Sequence, residues 1–289
     1  MKLLNALPPY NLFGIEEQDY KRAKVVAIPV PYDSTSTYKA GSREGPRAII
    51  EASRNMELYS DELEKDVSKR VGIFTTDEMA PDFSSPDNMV KRIEREVDVV
   101  VDDGKVPMLL GGEHTISVGA MRSVRKKHDF SVLHFDAHSD SRDEYGGTKY
   151  DHACVMARAK EICGKYYSVG IRSIDEQGAK DGKGSILYMK EMHKMTNAQI
   201  VKSILKNTKN NIYLSIDYDV LDPSEMPSTG TPEPDGMRFR QLIDILKPVL
   251  KERKVVGLDF VELNPIPGMV APNYLAAKLI YITLGYAFA

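Results

Sequence analysis

The chain has 289 residues, 39 of them basic and 42 acidic, for a formal net charge of -3; such a length holds a sizeable core, and a single domain over 1–289 is expected. The balanced charge leaves no basic face for a phosphate backbone, and no apolar run is long enough to span a bilayer, which excludes nucleic acid and membranes as partners. The apolar part of the N-terminal MKLLNALPPYNLFG is too short for a signal peptide, and Cys154 and Cys163 read as buried thiols of a reducing compartment, so a cytoplasmic protein is expected.

In chain order, the pattern predicts a strand at KVVAIPV (24–30), a helix over 45–60, a strand at VGIF (71–74) and a helix over 87–104. A strand at VPMLLGG (106–112), a helix over 115–128 and a strand at FSVLHFD (130–136) follow. Further strands fall at YYSVGI (166–171) and SILYM (185–189), then a helix over 196–207 with Thr196 as its N-cap, a strand at NIYLSID (211–217), a helix over 239–253 and a strand at KVVGLDFVE (254–262). Apolar runs that do not alternate, separated by helices, indicate a sheet covered on both faces. The predicted fold is a three-layer α/β/α arrangement with a mainly parallel eight-stranded sheet. The irregular stretch 222–236 is long enough to be a functional loop, and the apolar stretch 274–289 packs either internally or between subunits.

Ligands of such sheets bind beyond the carboxyl ends of the strands. Four strands end in GGEHT, DAHSD, SIDYD and DFVELNP, which places His114, Asp136, His138, Asp140, Asp217, Asp219 and Glu262 on one rim. In extended chain, residues at every second position share a face, so Asp136, His138 and Asp140 point together, as do Asp217 and Asp219. His134 shares that parity but lies deeper in its strand, and it reads as a hydrogen-bonded core histidine. Carboxylates crowded at the end of a buried sheet repel one another unless cations neutralise them. Two imidazoles and four carboxylates without thiolate form a hard, oxygen-rich set that favours manganese or another octahedral divalent ion. Six ligands suit two ions bridged by carboxylates and by a solvent molecule.

GGEHT, DAHSD and SIDYDVLDP, in this order and on these strands, resemble the three signature motifs of the ureohydrolase (arginase and agmatinase) family. VPYDSTSTYKAGSREGPRAIIEAS resembles that family's N-terminal segment, GIRS its mid-chain segment and GLDFVELNP its last strand, while PSTGTPEPDG is closer to the agmatinase form of its loop. The resemblance implies two Mn(II) ions per subunit, one held by His114, Asp136, Asp140 and Asp217 and the other by Asp136, His138, Asp217 and Asp219. It further implies that Asp222 is structural, turning the chain before Pro223, and that the subunits form a homo-oligomer, a trimer or a hexamer.

A guanidinium carbon is a poor electrophile, so its hydrolysis needs a strong nucleophile, a group that grips the planar cation and an acid for the leaving amine. On this resemblance a bridging hydroxide attacks and the tetrahedral intermediate collapses to urea and an amine. Glu262 suits the grip, because a carboxylate accepts two parallel N–H bonds, and Asp140 is placed to pass a proton to the leaving nitrogen. His152, in YDHACV, matches the family's proton-shuttling histidine; the bland alternative is that it caps the helix starting there. The arginase-like pattern has glycine after that histidine, whereas this chain has Ala153. His128 and His193, in polar stretches, read as solvated.

The loop 141–152 lacks the Ser-Gly-Asn run with which arginases meet the α-carboxylate, and its Asp143, Glu144 and Asp151 offer either an attraction for a primary ammonium or an ordinary solvated loop. Thr229, Gly230 and Thr231 line the pocket on resemblance alone. The expected function is cleavage of agmatine, a small cationic guanidino substrate, to urea and putrescine. The alternatives are arginine, guanidinobutyrate or formiminoglutamate as substrate, or a metal-binding subunit without catalysis.

Overall fold

Eight apolar runs of the chain become eight strands of one sheet. In the computed structural model, which describes residues 7–289, ten strands occur: β1 (Val25–Val30), β2 (Tyr59–Ser60), β3 (Lys65–Asp66), β4 (Ile73–Thr75), β5 (Val106–Gly111), β6 (Ser131–Phe135), β7 (Tyr166–Ile171), β8 (Ile186–Tyr188), β9 (Asn211–Asp217) and β10 (Lys254–Val261). All but β2 and β3 form the main sheet, in the order β4-β1-β5-β10-β9-β6-β7-β8, with every neighbouring pair parallel. The two short strands form a separate antiparallel hairpin.

Both faces of the sheet are covered, which completes the three layers. Val25, Ala27, Met108, Leu110, Leu133, Phe135, Leu214 and Ile216 point into one core, together with residues of the helices Gly45–Ser53, Asn197–Asn207, Phe239–Glu252 and Ala271–Phe288. Their strand neighbours Val26, Ile28, Leu109, Val132 and Tyr213 point into the other, with the helices Pro86–Asp102, Ile116–Arg125 and Val155–Cys163. A strand buried on both faces has no reason to alternate, and its apolar run is the visible result.

Several boundaries differ from the sequence reading. The first helix stops at Ser53, not at residue 60, and Tyr59–Ser60 form β2. Met56 and Leu58 nevertheless reach the same core from the turn that follows, so their apolar spacing continues where the helix does not. Thr196 caps its helix as expected, in a capping box with Gln199. The C-terminal stretch becomes the helix Ala271–Phe288, with Ala276, Ala277, Leu279, Ile280, Tyr281, Ile282 and Leu284 all buried inside this chain. A helix apolar on every side is a buried helix, which is why periodicity left its partner open. Among the described residues no helix is long and apolar enough to cross a membrane. Cys154 and Cys163 are buried and unpaired.

The segment bearing β2 and β3 is tied down by Glu62, whose carboxylate meets Arg240 at 2.7 Å, Lys247 at 3.0 Å and the Tyr286 hydroxyl at 2.6 Å. Hydrogen bonds from Arg240, Tyr286 and Lys247 hold this carboxyl at about 2, against an ordinary 4.5. A carboxyl depressed in the folded state adds stability at neutral pH that disappears as pH falls through the interval between those values. Glu62→Gln is therefore expected to lower Tm at pH 7, with the gap to the wild type closing between pH 4.5 and about 2 in thermal scans; a gap independent of pH would contradict the assignment.

Candidate metal centre and active-site cleft

The four motif-bearing strands are the four central ones, β5, β10, β9 and β6, side by side. Their ends are level, because Leu110 pairs with Phe260, Phe260 with Ile216 and Ile216 with Phe135. Just beyond this row Asp136 follows directly on Phe135 and Asp217, the last residue of β9, on Ile216, while Glu262 and His114 come one or more residues later, after β10 and β5. The turn after β5 must pass hard against the loop after β1: a Cβ on Gly112 would lie 1.9 Å from the Tyr32 carbonyl oxygen, so only glycine fits there.

His114 sits among these carboxylates, fully enclosed. Its Nε2 lies 2.7 Å from Ser215 Oγ, which donates to Asp259 Oδ1 at 2.6 Å. With the serine proton committed to the carboxylate, Nε2 is the ring's donor, and the lone pair on Nδ1 faces outward. Around Nδ1 stand Asp140 Oδ2 at 3.1 Å, Asp136 Oδ2 at 3.2 Å and Asp217 Oδ2 at 3.5 Å. None of the three forms a hydrogen bond of acceptable geometry with it. A lone pair surrounded by carboxylate oxygens is repulsive unless a cation lies between them, so the donor set fits a metal ion. A second group lies alongside, where His138 Nδ1 is 2.8 Å from Asp219 Oδ2 and 3.6 Å from Asp136 Oδ1. Asp136, shared by both groups, joins them.

Backbone N–H groups hold the carboxylates in place. His138 N donates to Asp136 Oδ1, Ala137 N to Asp219 Oδ1 at 3.0 Å, and Asp219 N to Asp217 Oδ1 at 2.8 Å. Burial, and then the charges of Asp219 and Asp136, push the Asp217 carboxyl well above its ordinary range. At Asp136 burial acts in the same direction, but His134, His114 and His138 outweigh it and hold the carboxyl low.

His134 falls within metal-binding distance of this cluster. Both of its ring nitrogens are nevertheless engaged, Nε2 with Asp136 Oδ2 at 2.7 Å and Nδ1 with Ser168 Oγ at 2.9 Å. It supports Asp136 from behind, in keeping with its reading as a core histidine. The alternation argument was incomplete for the same stretch: β6 ends at Phe135, and Asp140 reaches the cluster through a left-handed backbone with φ 47. Glu262 is also left-handed, with φ 66. Strain at non-glycine residues of this kind costs about 1–3 kcal/mol each and persists where the surroundings impose it.

A cleft of about 420 Å³ opens over the cluster, lined among others by His138, Asp140, His152, Asp217, Asp219 and Glu262. Glu262 Oε1 accepts the His114 N–H at 2.7 Å, and among the described residues nothing bonds to Oε2. Burial raises this carboxyl to about 8, with the positive charge of His152 acting against the rise. At His152 burial disfavours the imidazolium, but Asp151, Glu262 and Asp140 outweigh it and lift the group to about 9.

The Arginase family profile matches residues 23–285. The chain belongs to the arginase family. It is 34% identical over 276 residues to the N(1)-aminopropylagmatine ureohydrolase of Synechocystis sp., covering 92% of this chain and 90% of that one. It is 32% identical to the agmatinase of Bacillus subtilis, over 89% of each chain. The crystal structure of the agmatine ureohydrolase of Thermoplasma volcanium superposes with a TM-score of 0.85 at 32% identity, over 93% of this chain and 92% of that one. The protein is an enzyme of the hydrolase class.

Within this arginase-family site, some expectations change. Asp151, not His152, is the N-cap of the short helix His152–Cys154, accepting from Ala153 N at 3.0 Å. Ala153 follows the histidine inside that helical turn without a left-handed backbone, so the departure from glycine costs no strain. The acidic loop residues do not line the cleft. Asp143 is paired with Arg158 and Lys149, and Asp151 is buried against His152. Thr229 also lies off the cleft wall, buried and bridged to Leu263, while Thr231 lines the wall after the bend at Gly230. Asp222 is structural as expected: it accepts from Ser224 N and Gly236 N, each at 3.0 Å, and joins the two ends of the 222–236 loop. Sequence reasoning missed Arg142, Tyr145, Ser173 and Asp175 at the mouth of the cleft, and Ser215 and Asp259 behind His114. A charged residue inside the apolar run VVGLDFV was a usable signal for Asp259.

Asp136→Asn removes the charge common to both groups. It is expected to abolish retention of divalent metal after gel filtration, measured by elemental analysis; full metal content in the variant would refute the site.

Proposed function

We propose that the protein hydrolyses the guanidinium group of agmatine to urea and putrescine at two divalent cations, Mn(II) by preference. His114, Asp136, Asp140 and Asp217 would hold one ion and Asp136, His138, Asp217 and Asp219 the other. The observation that carries this reading is the enclosed His114 Nδ1, unpaired among three carboxylates. The agmatinase and agmatine ureohydrolase relatives support the substrate class. When bound, such an ion pair supplies a hydroxide nucleophile near neutral pH and neutralises the carboxylates around it.

The chain's own residues account for the remaining requirements. Glu262 Oε2, together with the second lone pair of Oε1, accepts the parallel N–H groups of the guanidinium and turns its carbon toward the cluster. Asp140, inside the cluster and on the cleft wall, takes the proton released by the nucleophile and delivers it to the leaving nitrogen. His152, which also lines the cleft, holds the proton that completes the departing ammonium. Water and guanidinium thereby become urea and a protonated primary amine, with atoms and charge conserved.

A second reading, N(1)-aminopropylagmatine as substrate, is favoured by the 34% identical relative of that name and by the open mouth of the cleft beside Arg142 and Asp175. Assembly into a trimer or hexamer and a cytoplasmic location belong to the same proposal.

Urea release from agmatine, N(1)-aminopropylagmatine, arginine and guanidinobutyrate by the manganese-loaded protein, with a chelated control, tests this function. Metal-dependent urea from agmatine is expected; urea from another compound alone would overturn the substrate, and none from any would overturn the reaction. His152→Ala is expected to lower turnover by about 10²–10⁴-fold, the range of general acid–base catalysis, while both ions are retained. Loss of metal in that variant would make His152 a ligand.

A further inference from the structure

The loop after β1 touches His152 at three points. Thr35 Oγ1 accepts the His152 backbone N–H at 3.1 Å and lies 3.4 Å from its ring Nδ1, while Thr37 Oγ1 lies 3.5 Å from Nε2. Thr35 is in turn gripped by both oxygens of Glu113: its N–H reaches Oε2 at 2.7 Å and its hydroxyl donates to Oε1 at 2.8 Å. Glu113 is fully enclosed. The only further donors on it among the described residues are hydroxyls, Ser36 Oγ at 3.4 Å being one.

A hydroxyl carries one proton. Thr35 gives that proton to Glu113, so toward His152 it offers only lone pairs. The other neighbour of Nδ1, Asp151 Oδ1 at 3.0 Å, is an acceptor as well. Two acceptors against one ring nitrogen favour the tautomer with its proton on Nδ1. That leaves Nε2, beside Thr37, as the nitrogen that gives up and regains the proton exchanged with a leaving amine.

We propose that Thr35, anchored by the buried carboxylate of Glu113, is a positioning residue that sets the ring tautomer and orientation of His152. The inference rests on the role given to His152 above. The Glu113–Thr35 pair is absent from the signature motifs as a functional unit because its members are 78 residues apart and meet only where the loop after β1 crosses the turn after β5. The groups facing His152 are Asp151 beside it, Glu262 from the end of β10, Asp140 from the loop after β6, and the edge of the Tyr145 ring at a centroid distance of 6.4 Å.

The test compares Thr35→Val, Thr35→Ala and Thr35→Ser with the wild type. Two measurements are made: pH profiles of kcat and KM for the manganese-loaded enzyme, and nitrogen NMR of labelled histidine in the enzyme loaded with a diamagnetic divalent ion. Thr35→Val and Thr35→Ala are expected to lower kcat by about tenfold with KM little changed, since a fraction of the acid–base term is lost with the tautomer. They are also expected to shift the pH limb assigned to His152 and to mix its ring tautomers, whereas Thr35→Ser restores all three. An unchanged His152 tautomer and titration in the valine and alanine variants would overturn the proposal. Equal impairment of the serine variant would overturn it too, because the loss would then come from packing of the methyl group. If the wild type hydrolyses no guanidino compound, the proposed function fails, and the NMR comparison still decides whether Thr35 sets the state of His152.

Discussion

Mutual repulsion of buried carboxylates is the constraint on which this structure turns. Asp136, Asp140, Asp217 and Asp219 meet at the end of a sheet whose faces are packed by apolar cores, with the imidazoles of His114 and His138 among them and that of His134 behind Asp136. Taking one carboxylate out of water costs several kcal/mol, and each neighbour of like charge adds to that cost. Backbone N–H groups relieve part of it, because the chain after β6 and after β9 folds back so that Asp136 and Asp217 each accept from the amide two residues on and Asp219 from the amide of Ala137. In the proposed function, divalent cations would complete the neutralisation and supply the chemistry.

The scaffold makes this convergence possible through level strand ends. Because β5, β10, β9 and β6 are in register, the last core row of Leu110, Phe260, Ile216 and Phe135 forms a flat apolar floor. The charged residues of the cluster follow beyond this row. Two of them, Asp140 and Glu262, adopt left-handed backbones to aim their side chains inward. The floor, with both faces packed by helices, holds that strain in place.

Behind the cluster lies a ring of supporting polar groups that never reach the cleft: Asp259 through Ser215 to His114, Ser168 to His134 and on to Asp136, and Glu113 through Thr35 to His152. Each chain ends on a group that is enclosed or nearly so, and each commits a proton whose position would otherwise be free. Orientation at the site is thus governed by where hydroxyl protons go, a property of pairs of residues brought together by the fold.

The sequence by itself determined the layers and the composition of the rim. Unbroken apolar runs marked the strands of a doubly covered sheet, and GGEHT, DAHSD, SIDYD and DFVELNP marked the strand ends that carry the charges, because burial and charge are properties of local stretches. It also identified His134 as a core residue from its depth in the strand. Strand order was not legible, since nothing local in β5 or β10 states that they are neighbours across 148 residues, the separation of His114 and Glu262. Nor was the burial of Thr229 off the cleft wall, which the family resemblance alone had placed in the pocket, or the engagement of Asp143 by Arg158 and Lys149. Those outcomes depend on which distant groups come within hydrogen-bonding reach, and only the packed tertiary structure decides that.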